Sequence, residues 1–156
     1  MEFGPDGFDA EKFPAKYTND GENYSPPLRW SGVPDGTVEL AVTMINDSSR
    51  LSEPFVHWIV YKIPSSVDRL PEGFKHEKDP AAPLDILQGT NSLGNTGYNG
   101  PWGVAGRRMH YRFRIFALDS ALPLQPGLDR KKLMDAIASH IIDEADFEAT
   151  YVREYA

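Results

Sequence analysis

The sequence contains no cysteine, which removes disulfides, thiol nucleophiles and cysteine-ligated zinc at once. Concentrated positive charge is missing as well. Sixteen Lys and Arg stand against 23 Asp and Glu, for a net charge of -7 and a pI near 5.0. Nucleic acid and anionic membrane surfaces are held by clustered Lys and Arg, so neither is an expected partner. Long apolar runs are absent too, since nothing approaches the roughly 20 apolar residues of a membrane-spanning helix. The opening residues, MEFGPDGFDAEKF, have neither the basic start nor the apolar stretch of a signal peptide. A cytoplasmic protein without stable membrane insertion is the expectation. Catalytic signatures are missing in the same way: there is no G-x-S-x-G elbow, no H-E-x-x-H, no phosphate-binding P-loop and no dinucleotide fingerprint.

What is present is an ordinary globular composition, 40% apolar with a mean hydropathy of -0.45. A chain of 156 residues suits one domain, 1–156, with a substantial core. Thirteen prolines and thirteen glycines interrupt it at short intervals, which favours short strands and turns over long helices. Residues 38–45 (VELAVTMI) read as a strand ending at the turn-forming Asn46, Asp47, Ser48 and Ser49. Residues 55–63 read as a second strand, with Phe55, His57, Ile59, Tyr61 and Ile63 on one face and Val56, Trp58, Val60 and Lys62 on the other. Both faces are largely apolar, so this strand is expected at the centre of a sheet covered on both sides. Residues 64–85, with prolines at 64, 71, 80 and 83, read as a surface excursion. Residues 110–118 (HYRFRIFAL) form a third strand, with Tyr111, Phe113, Ile115 and Ala117 on one face. One helix is expected to begin near Asp129, a good N-cap, with a stripe of Leu133, Ile137 and Ile141. His140 is read as packing within that helix, and a short strand is expected at 149–153. The sum is a mainly β protein, an antiparallel two-sheet β-sandwich with a C-terminal α-helix.

The chemistry concentrates in FVHWIVYKIP (55–64), where a histidine sits inside an apolar strand. Burying a titratable imidazole costs free energy unless it finds a partner. The polar run containing Asp47 precedes it, and the Gly/Asn-rich QGTNSLGNTGYNGP (88–101) follows. From the residues alone, His57 is either a ligand group or a core histidine bonded to a carbonyl, and Asp47 is either a site acid or a turn residue. The glycines of the loop either give flexibility or free backbone N–H groups for an anion.

Taken in order, YTNDGENYSPPLRWSGVPDGT (17–37), FVHWIVYKIP, LPEG (70–73), QGTNSLGNTGYNGP, YRFRIFALD (111–119) and the C-terminal helix resemble the phosphatidylethanolamine-binding protein family, in its bacterial and archaeal branch. The resemblance implies a large antiparallel sheet packed on a smaller one, with a shallow anion pocket at one end. Residue by residue, it places Asp47 at the first position of the family's aspartate-proline-aspartate motif, whose other positions hold Ser48 and Ser49. His57 matches the pocket histidine, and Tyr98, Gly100 and Pro101 match a Gly-Tyr-x-Gly-Pro loop. The histidine-arginine-tyrosine triplet falls on Met109, His110 and Tyr111, so the histidine is displaced by one. Side chains alternate along a strand, so a regular strand turns His110 away from Tyr111, and a bulge would bring it back. Trp102 stands where the family has a smaller residue.

The expected site is therefore Asp47, His57, Tyr98, Gly100, Pro101, His110 and Tyr111. Pairing of Asp47 with His57 would raise the imidazole's pKa. The leading expectation is a non-enzymatic binding protein for phosphate or a phosphorylethanolamine-like group, with no cofactor and no metal. The alternative is a regulator or inhibitor acting on a protein partner, a kinase or a protease, with a vestigial pocket. A weak hydrolase using His57 is the least supported reading. A homodimer is left open.

Overall fold

A computed structural model describes residues 1–47, 54–74, 86–102 and 106–153. Among them, eight strands pair antiparallel throughout: β1 (Glu2–Pro5), β2 (Leu28–Ser31), β3 (Glu39–Asn46), β4 (Val56–Pro64), β5 (Arg69–Leu70), β6 (Leu87–Gln88), β7 (Arg108–Leu118) and β8 (Ile141–Val152). They make a three-stranded sheet, β1-β2-β5, and a five-stranded sheet, β6-β4-β3-β7-β8. One helix, α1 (Arg130–Ile137), lies between β7 and β8 in the chain. The expected mainly β sandwich of two antiparallel sheets with a helix near the C-terminus is what the chain adopts. Ser48 and Ser49 lie outside the described residues.

Two apolar layers hold the fold together. One, between the sheets, joins Leu28, Trp30 and Leu70 of the small sheet to Val42, Met44, Trp58, Val60, Phe113 and Ile115 of the large one. The other lies between the large sheet and α1 and joins Ala41, Ile59, Tyr61, Phe116 and Leu118 to Leu133 and Ile137. Burial on both faces explains why β3 and β4 read as nearly continuous apolar runs. Tyr111, Phe113, Ile115 and Ala117 all enter the first layer, as their alternation requires.

Strand β4 departs from strict alternation, for a reason the pairing makes plain. Met44 faces Trp58, yet the next residue, Ile45, faces Val56, so His57 is one extra residue in a bulge. As a result Val56 joins the helix-side layer while Trp58 joins the layer between the sheets. A second irregularity falls between Leu40 and Val42, where Lys62 adopts a positive φ of 56°. Ile63 consequently packs between the sheets while Tyr61 packs toward α1. The two faces expected from period 2 are therefore exchanged at both ends of the strand.

The helix is shorter and the last strand longer than expected. Asp129 caps α1 by accepting from the Lys132 backbone N–H at 2.8 Å. A single 3-10 turn, Ala138–His140, then leads into β8. Ile141 thus begins the strand rather than closing the helical stripe. The alternation of IIDEADFEATYV fits a strand with one face turned inward. His140 does not pack in a helix: its Nδ1 lies 3.0 Å from Asp119 Oδ1, half-exposed at the turn.

Candidate functional site

The bulge places His57 at the end of the large sheet with its ring among aromatic side chains. Ring centroids lie 4.8 Å away at Phe55, 5.3 Å at Tyr111 and 6.4 Å at Trp102. The residue is 2% exposed. Its backbone carbonyl accepts from the Asn99 N–H at 3.0 Å, and its Nδ1 lies 2.8 Å from the Asn99 carbonyl. A carbonyl only accepts, so Nδ1 carries the hydrogen and the neutral ring's lone pair sits on Nε2. Nε2 is buried and has no hydrogen-bond partner among the described residues. Burial, opposed in part by the Asn99 carbonyl, lowers the imidazole's pKa to about 4. The expected rise is thus reversed. Among the described residues no carboxylate reaches the ring, so desolvation of the charged form decides the direction.

Asp47 and His110 are not brought to that ring. The Asp47 carboxylate accepts from Arg112 Nε at 3.1 Å. Arg112 also reaches Asp146 at 2.8 Å and Glu148 at 3.1 Å. Strand β7 is regular at this end, with Met109 facing Tyr151, His110 facing Thr150 and Tyr111 facing Ala149. His110 therefore shares the Arg112 face, and its Nδ1 lies 2.9 Å from Glu148 Oε1. Tyr111 points to the opposite face, where it is buried beside His57. Burial, with Tyr151 and Asp20 nearby, raises its phenol's pKa.

Tyr98, Gly100 and Pro101 flank Asn99, the loop residue bonded to His57, in a loop knitted to residues 17–23. The Tyr98 hydroxyl donates to the Tyr17 carbonyl, and the Gly100 N–H donates to Asn23 Oδ1 at 2.8 Å. Asn19 donates from Nδ2 to Asn99 Oδ1 at 2.8 Å and to the Gly100 carbonyl at 2.6 Å. Its own N–H donates to the Pro101 carbonyl at 2.7 Å. Gly100 is required for space: a Cβ there would lie 2.3 Å from the Tyr17 carbonyl oxygen. Through the rest of the loop the N–H groups of Gly89, Asn91, Ser92, Gly94, Gly97 and Asn99 already donate to backbone carbonyls. The expectation of free amides around an anion is thus not met at these positions.

Sequence reasoning missed the site's walls and struts. Phe55 and the Asn99 carbonyl carry no motif of their own. Asn19 and Asn23 stand in YTNDGEN, where an Asn-rich segment beside a tyrosine was the available signal. Asp20 accepts from the Tyr151 hydroxyl at 2.6 Å, tying the same segment to β8. Trp102 is 48% exposed and packs edge-on against Phe55 at 5.4 Å, so its indole covers one flank of the site. Among the described residues no group of His, Asp or Glu could hold a metal ion, and no helix is long and apolar enough to cross a membrane.

Comparison with known proteins agrees with this architecture. The family model described as phosphatidylethanolamine-binding protein matches residues 4–152. A UPF0098 protein of Pyrococcus horikoshii is 37% identical over 145 residues, covering 92% of this chain and 72% of the relative. One from Methanothermobacter thermautotrophicus is 35% identical over 145 residues, covering 93% of both. Among solved structures, a phosphatidylethanolamine-binding protein homolog from Chlamydia trachomatis superposes with a TM-score of 0.83 at 29% identity, covering 97% of each chain. YbcL of E. coli, described as a new member of the mammalian family, gives 0.87 at 25% identity and covers 98% of each.

Proposed function

The chain belongs to the phosphatidylethanolamine-binding protein family, and on that premise we propose that it is a non-enzymatic binding protein whose site at His57 seats a small phosphorylated or anionic group. One observation carries the reading: the buried, unpartnered Nε2 of His57. Leaving such an atom without a partner costs about 1–3 kcal/mol, and a bound polar group would recover it. Phe55, Trp102 and Tyr111 form the walls, and the 98–101 loop, braced by Asn19 and Asn23, fixes the ring through Asn99. Asp47 and His110 are excluded from the contact set, because their side chains are paired on the opposite face of the sheet. A hydrolase is disfavoured by the same atom: among the described residues no hydroxyl is bonded to Nε2 for the ring to activate.

Backbone amide shifts followed during titration with phosphorylethanolamine test this reading. Saturable shifts are expected at His57, at 98–100 and at Tyr111. They should disappear in His57→Phe and persist in Asp47→Ala. Silence at millimolar ligand would overturn it. The second reading, a regulator working through protein contacts, draws on the half-exposed indole of Trp102 and the engaged loop amides. It predicts a stable complex with a kinase or protease that Trp102→Ala weakens while His57→Phe does not.

A further inference from the structure

The proposed site has an unusual polarity for an anion. An anion offers acceptors and asks for donors, yet the ring's only N–H, on Nδ1, is committed to the Asn99 carbonyl at 2.8 Å. The atom left for a ligand is Nε2, an acceptor in the neutral ring. Two loop amides that could supply donors are bonded elsewhere, Asn99 N–H to the His57 carbonyl and Gly100 N–H to Asn23.

We infer that the group seated on His57 brings its own proton: the site selects the singly protonated form of a phosphate monoester, whose P–O–H donates to Nε2, over the dianion. This rests on the reading of His57 as the binding site and names the ionic form that site accepts. The proton balance is simple. Where the free ligand is a monoanion it binds as it is; where it is a dianion, one proton is taken from solvent and ends between the phosphate oxygen and Nε2.

Among the described residues, no charged side chain beside the ring supplies that proton by another route. Just before β4 the neighbour of the ring is Phe55, and from the loop come Trp102 and the Asn99 carbonyl. From β7 comes Tyr111, whose phenol stays protonated because burial and the nearby Tyr151 and Asp20 raise its pKa. Asp20 accepts from Tyr151 at 2.6 Å. Asp47 is held by Arg112, and Arg108 and His110 share Arg112's face of β7, away from the ring. The burial that lowers the imidazole's own pKa has no charged side chain among its causes.

The test is the affinity of the intact protein for phosphorylethanolamine between pH 5 and 8, read from the amide shifts of His57, Asn99 and Gly100. The diester dimethyl phosphate, an anion with no proton to donate, serves as control. With a second phosphate pKa of about 6, the monoanion fraction falls from about 0.9 to about 0.01 over that range. The expected loss of affinity is therefore about 90-fold, with no binding of dimethyl phosphate, and calorimetry in two buffers at pH 7.5 should show about one proton taken up per ligand bound. Affinity that is flat or rises with pH, binding of dimethyl phosphate to the same residues, or binding without proton uptake would overturn the inference and leave the site standing. Failure of phosphorylethanolamine to shift these amides at any pH would remove the site itself, and the inference with it.

Discussion

Acid should destabilise this protein through one residue, and the size of the effect follows from its burial. His57 is 2% exposed and its pKa is depressed to about 4, against about 6.5 for an unfolded-chain histidine. A depressed histidine pKa means that the folded state prefers the neutral ring. Between the two values the unfolded chain binds a proton that the native protein does not, so stability rises with pH across the window and is lost as pH falls through it. Each pKa unit corresponds to about 1.4 kcal/mol, so lowering the pH from 7 to 4 should remove about 3 kcal/mol through this group, about 2 of it already by pH 5. Carboxylates titrate in part of the same range, so the comparison must be with His57→Phe, which keeps an aromatic ring among Phe55, Trp102 and Tyr111. Urea unfolding at pH 7, 6, 5 and 4 should show the wild type losing about 3 kcal/mol more than the variant across the series. Whatever His57→Phe does to stability at pH 7 cancels in that difference. Parallel pH profiles would refute the reasoning, because they would mean that the ring is already solvated, or already paired, in the native state.

Two further substitutions probe the elements that build the site. Gly100→Ala would force a Cβ to within 2.3 Å of the Tyr17 carbonyl and 2.7 Å of Asn23 Oδ1, so a loss of about 1–3 kcal/mol is expected, with loss of the phosphorylethanolamine shifts; a wild-type melting temperature would show that the loop is not braced as described. Asp129→Ala removes the cap on α1 and should lower stability by about 1 kcal/mol, measured by urea unfolding, while leaving the His57 resonances in place.

The strands were legible because their periodicity is enforced by burial on two faces. For residues 38–45, 55–63 and 110–118 the sequence limits fall within two residues of β3, β4 and β7, and the inward set of β7 is the one its alternation predicts. The bulges were not legible. Whether β4 gains a residue at His57 depends on how β3 pairs with it, and nothing local in VHWIV distinguishes the bulged register from the regular one. The helix end was misread because Ile141 satisfies both a helical stripe and the first inward position of a strand; β7, which pairs with β8 along its length, settles which one. The site was legible in part. His57 and Tyr111 lie ring to ring and Asn99 ties the 98–101 loop to the imidazole, whereas Asp47 and His110 are paired with Arg112 and Glu148.

That divergence turns on the parity of a strand. Tyr111 and His57 meet because β7 directs its odd-numbered residues between the sheets and the bulge adds one residue to β4 at His57. His110, one residue earlier on a regular β7, must then face Glu148. The same parity gives Arg112 to Asp47, and the carboxylate that would have charged the imidazole instead neutralises a cation 3.1 Å away on the outer face. A second buried atom, Glu39 Oε2, is also unpartnered, yet it makes a poor candidate site. Its carboxylate is already engaged through Oε1, 2.7 Å from Lys62 Nζ, and Lys62 donates in turn to the Leu122 carbonyl. At His57 the unpartnered atom is the ring's whole remaining hydrogen-bonding capacity, held still by Asn99 and walled by three aromatic rings. A fixed acceptor without a donor is a structural cost at Glu39 that the adjoining ion pair offsets in part; at His57 nothing among the described residues offsets it, and a ligand's proton is the group that fits.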